Sequence, residues 1–81
     1  EWRVVIFDIP ERFKKAREAL RKKLKDLGFI KLQESVFVFP YECEDEINFI
    51  TEVFLIRPFV RFMRVKSFTN EEQTKLKFGL F

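Results

Sequence analysis

The chain has 81 residues, with 16 Lys or Arg against 13 Asp or Glu, a net charge of +3. That length allows one domain, residues 1–81, whose core lies near the lower limit of unaided folding. With no His and one Cys, Cys43, it lacks the ligands for a zinc site and the bases for Ser–His–Asp or Cys–His chemistry. No apolar run reaches membrane length, no signal-peptide pattern is present and the lone Cys suits a reducing compartment, so a cytoplasmic protein without a membrane partner is expected. Twelve Phe in so short a chain exceed what a small core consumes, which points to a homodimer.

Trp2-Arg3-Val4-Val5-Ile6-Phe7 reads as a strand covered on nearly both faces, and Asp8 stands where it runs out. Pro10 suits the first position of a helix, where its missing N–H would have had no partner. From Glu11 to Leu27, Phe13, Ala16, Leu20, Leu24 and Leu27 recur at steps of three and four and form one apolar stripe. Gly28 suits the left-handed C′ position that closes the helix. Phe29–Leu32 is a short strand, Gln33-Glu34-Ser35 a turn or bulge, and Val36–Phe39 a strand ended by Pro40.

A second helix opens on Tyr41-Glu42-Cys43-Glu44-Asp45-Glu46, whose acids suit the positive end of the helix dipole, with Ile47, Ile50, Val53 and Phe54 as its apolar side. The same acids offer carboxylates to a metal, but a cage needs ligands converging from defined positions. Residues 59–68 form a strand with Val60, Phe62, Arg64 and Lys66 on one side and neither side cleanly apolar, the pattern of an edge. Thr69-Asn70-Glu71-Glu72 caps a last short helix before the apolar tail of Leu76, Phe78, Leu80 and Phe81. Strand, helix, strand, strand, helix, strand is an α+β order: the ferredoxin-like βαββαβ arrangement, an antiparallel sheet with two helices on one face and a C-terminal tail. The other face then needs solvent, a partner subunit or nucleic acid.

Residues 2–11, followed by Leu20-Arg21, Leu24, Leu27-Gly28-Phe29 and Leu32-Gln33-x-Ser35-Val36-Phe37-Val38-x-Pro40, resemble one superfamily with two branches. One is the CRISPR-associated spacer-acquisition subunit, often described as an endonuclease. The other is the central domain of the PaaX-like repressors of phenylacetate catabolism, which follows a winged-helix DNA reader. Trp2-Arg3, Leu27-Gly28-Phe29 and Pro40-Tyr41 resemble the repressor branch more closely, and the start without Met fits a piece of a longer chain.

The repressor resemblance implies a non-enzymatic dimerisation and scaffold domain that sets half-site spacing for a DNA reader. The CRISPR resemblance implies a subunit that bridges integrase subunits along duplex DNA. There Asp8 of two copies would meet across the dimer axis and hold one Mg²⁺ for endonuclease activity. A protein-interaction module that never touches nucleic acid is the third reading. One carboxylate per chain, with no His and no evident general base, is thin equipment for a nuclease, and Asp8 has a plainer role as the cap of the following helix. No cofactor other than this Mg²⁺ is implied.

Charge is concentrated in one place. Residues 11–27 carry eight basic residues against three acids, a balance of +5, while the remaining residues carry eight against ten. Arg12, Lys14, Lys15, Arg17, Arg21, Lys22 and Lys25 are therefore candidates for phosphate contacts on double-stranded DNA, against the alternative of an ordinary solvated helix face. Phe62, Phe68, Phe78 and Phe81 are candidates for the dimer interface, since the uncovered sheet face needs a partner.

Overall fold

The computed structural model describes residues 1–79. The chain runs β1 (Trp2–Phe7), a 3₁₀ turn (Glu11–Phe13), α1 (Lys14–Leu27), β2 (Ile30–Gln33), β3 (Val36–Phe39), α2 (Glu44–Val53), a 3₁₀ turn (Arg57–Phe59), β4 (Val60–Val65) and α3 (Glu71–Lys77). The sheet order is β2-β3-β1-β4, with every neighbouring pair antiparallel. This is the expected α+β, ferredoxin-like arrangement. The continuous apolar run of β1 has its reason in this order: β1 is central, flanked by β3 and β4.

Alternation along the strands divides the core into two clusters. Val5, Phe7 and Phe37 face α1 and α2, meeting Ala16, Leu20 and Leu24 of one helix and Ile47 and Ile50 of the other. Trp2, Val4 and Val38 face the opposite side, where Phe68 and Phe78 pack against them. Phe68 and Phe78 thus cover part of the second face of their own sheet. The Trp2 ring lies edge-on to Phe68 at 5.1 Å, and its indole N–H donates to Glu71 Oε2 at 2.8 Å. Phe62 points to the helix side and packs against the first cluster. Phe81, the fourth residue expected at an interface, and Leu80 lie outside the described residues.

Several local expectations are refined. Pro10 stands before the helix rather than in it, and the first turn is 3₁₀. Gly28 closes α1 with φ 102°, and a Cβ there would also come within 3.3 Å of the Phe39 ring. A register shift between Lys31 and Gln33 places the expected irregularity inside β2. In α2, Ile47 and Ile50 are buried, but Val53 and Phe54 are exposed. Thr51 and Ile56 take their places, because the chain turns sharply at Leu55 (φ 57°) and drives Ile56 back into the core. The turn carries both Schellman bonds, Ile56 N–H to Thr51 O at 3.0 Å and Leu55 N–H to Glu52 O at 3.2 Å, with Leu where glycine is usual.

Candidate nucleic-acid interface

The amphipathic pattern of α1 turns its basic residues away from the sheet, but they are not equivalent. Arg17 donates to Ile9 O at 3.4 Å and to Glu11 at 3.1 Å, and lies 3.6 Å from Glu18. Arg21 bonds Glu18 at 3.0 Å, reaches Glu34 O in the β2–β3 turn at 3.4 Å, and lies over the Phe7 ring. Both arginines fasten the helix to its surroundings. Lys22 pairs with Asp26 one turn on at 3.1 Å, and Arg12 stacks on Phe13. Among the described residues, the side chains of Lys14, Lys15, Lys23 and Lys25 make no hydrogen bond or ion pair. Lys14 and Lys25 project on the same side of the helix, about 16 Å apart along its axis.

Between α1 and the β2 edge lies a cleft of about 380 Å³ lined by Arg21, Lys22, Lys25 and Lys31, with Glu18 at its rim and Phe29 and Phe37 beneath. Lys31 bonds Glu34 at 3.1 Å and, with Arg21, holds the Glu34 carboxyl below the usual carboxylate range. Lys25 is the cation of this cleft that no carboxylate neutralises.

Asp8 is exposed at the end of β1, with its own N–H bonded to Phe59 O at 2.9 Å. Its carboxylate makes no hydrogen bond or ion pair among the described residues, and the turn that follows has no side-chain cap. The capping role is thus corrected: Pro10 O, not Asp8, closes that turn by accepting from Phe13 N–H at 2.9 Å. Asp8 shares a concavity of about 280 Å³ with Arg61, which register places beside Ile6 on the neighbouring strand. No group of three His, Cys, Asp or Glu converges among the described residues. Arg61 was missed in the sequence because only strand register reveals it as Asp8's neighbour.

Glu42 was hidden in the acidic cluster. Its Oε1 accepts from Cys43 N–H and Glu44 N–H, both at 2.9 Å, while Oε2 meets Arg64 at 2.8 Å and Arg3 at 3.3 Å. Arg3 and Arg64 are cross-strand partners whose like charges this carboxylate bridges. The Glu44 N–H bond, aided by Arg3, Cys43 N–H and Arg64, holds Glu42 below the usual carboxylate range. Beside it, burial pushes the Cys43 thiol up to about 11, with Glu46 and Glu42 adding to the effect.

The family model described as the PaaX protein central Cas2-like domain matches residues 1–77. The chain belongs to this family. No curated protein and no solved structure matches the chain. The PaaX central-domain family accounts for the ferredoxin-like frame, and no helix among the described residues is long and apolar enough to cross a membrane.

Proposed function

We propose that this PaaX-like regulator domain is a non-enzymatic dimerisation and scaffold module that works along double-stranded DNA. The observation that carries the reading is that three of the candidate lysines on α1, Lys14, Lys15 and Lys25, are unneutralised, on an element otherwise tied down by its own ion pairs. Such cations contact phosphate without reading sequence, and a dimer presents two sets to one duplex. Arg17 and Arg21 hold the helix in position, Arg12 is stacked on Phe13 and Lys22 is paired with Asp26.

The alternative is the CRISPR-type role, a subunit bridging integrase subunits with Mg²⁺-dependent cleavage at Asp8. The free Asp8 carboxylate favours it, and Arg61 in the same concavity opposes a cation there.

Titration of labelled duplex DNA at low and moderate salt, with Mg²⁺ or EDTA, separates the readings. Salt-sensitive binding without cleavage is expected. Mg²⁺-dependent cleavage that Asp8→Ala abolishes would establish the alternative. Absence of binding in every condition would leave a protein-interaction module.

A further inference from the structure

β2 ends the sheet on one side. It pairs with β3 alone, so its outer edge presents backbone N–H and C=O groups that no other strand among the described residues takes up. The cleft of about 380 Å³ runs beside this strand, with α1 as its other wall. A groove between a helix and an open strand edge is a setting in which an extended peptide can add itself to a sheet. Its backbone bonds to the edge, and every second side chain enters the groove.

The two faces of β2 set what those side chains must be. Lys31 pairs with Phe37 across the ladder and so lies on the helix side, in the cleft. There Arg21, Lys22 and Lys31 share ion pairs with Glu18, Asp26 and Glu34, while Lys25 has none, so four cations against three carboxylates leave one positive charge over. On the opposite face Ile30 pairs with Val38 and is half-buried, and Leu32, two residues on, is 38% exposed. A peptide strand laid here turns an acidic side chain toward Lys25 and apolar ones toward the side of Ile30. The register shift between Lys31 and Gln33 ends the regular ladder, so the added pairing is short and centres on Lys31. Duplex DNA offers phosphates to Lys25 but nothing that pairs with a strand edge, and the open edge therefore favours a peptide.

We propose that the cleft between α1 and the free edge of β2 is a docking site for an extended peptide that alternates acidic and apolar residues. Main-chain bonds to β2 hold the peptide, and Lys25 selects its acidic side. The site goes beyond the DNA reading and leaves Lys14 and Lys15 to the duplex.

Fluorescence anisotropy of a labelled heptapeptide alternating Val and Glu, titrated with the unmodified protein, is the test. Saturable binding is expected. Only every second amide of an added strand points at the edge, so N-methylation of one alternate set of peptide amides is expected to abolish binding, and of the other set to leave it. Lys25→Glu is expected to weaken this peptide about tenfold or more and to bring up binding of a heptapeptide alternating Val and Lys, a gain that an unfolded variant could not show. Binding that survives both methylated sets, or that Lys25→Glu leaves unchanged, would overturn the proposal. Absence of binding by the Val and Glu peptide would overturn it as well, and a loss of duplex DNA affinity in Lys25→Glu would then assign the cleft to phosphate.

Discussion

The Glu42 carboxylate lies 2.8 Å from the Arg64 guanidinium, and its other oxygen caps the backbone that opens α2. One side chain therefore joins an edge strand, the central strand and a helix start. Because its folded pKa is lowered, the unfolded chain binds more protons as the solution turns acidic. The contribution is complete above the ordinary carboxylate range and is lost as pH falls through the folded value. Thermal melts of the unmodified protein and Glu42→Gln are expected to differ at neutral pH and converge in acid, with helix signal as the readout.

Charge removal on α1 is expected to divide the helix into two kinds of residue. Replacing both Lys14 and Lys15 by Ala should lower the slope of log K against log salt for duplex DNA by about 1.8, near 0.9 per contact, with little change in melting temperature. Replacing Arg17 by Ala should instead lower the melting temperature, since its guanidinium holds Ile9 O and Glu11.

Leu55→Gly is expected to raise stability by about 1 kcal/mol, because glycine adopts the left-handed turn without a Cβ penalty. For a domain of this size that is a rise of roughly 4–8 °C in melting temperature. Calorimetry at low protein concentration, where association does not contribute, checks it.

Cys43 is buried and its thiol titrates at about 11. At pH 8 only about a thousandth of it is thiolate. Modification by a disulfide reagent should be slow in the folded protein and accelerate with denaturant at the unfolding midpoint.

Trp2 is the sole tryptophan, and it is buried under Phe68 and Phe78. Phe78→Ala is expected to shift its emission to longer wavelength and to cost about 2 kcal/mol, the value of burying part of one aromatic ring. A denaturant titration followed by that emission measures both.

What the sequence carries well is periodicity. The α1 stripe, the Gly28 stop, the bounds of β3 and the edge character of β4 all follow from spacing, because burial on one face forces a repeat that a reader can count. Partnership across the fold is different. Arg61 comes beside Asp8, and Arg3 beside Arg64, only through the register of β1 with β4. The exposed side of α2 was hidden for a related reason: Val53 and Phe54 continue the apolar pattern, but the buried face runs through Ile47, Ile50 and Thr51, and the turn at Leu55 then brings Ile56 into the core. The aromatic tail looked unpartnered because nothing local shows that α3 brings Phe78 back over Trp2.

The central position of β1 has a kinetic meaning. Four of its residues pair with β3 on one side and all six with residues 60–65 on the other, the farthest strand in the sequence. The ribosome delivers the middle of the sheet first and its last neighbour much later. Closing that long loop must precede the reward of pairing, so the rate-limiting step of folding is expected to be the arrival of β4, with the helices already formed. Until then one flank of this central strand stays open, and nascent chains are most prone to associate with one another in that interval.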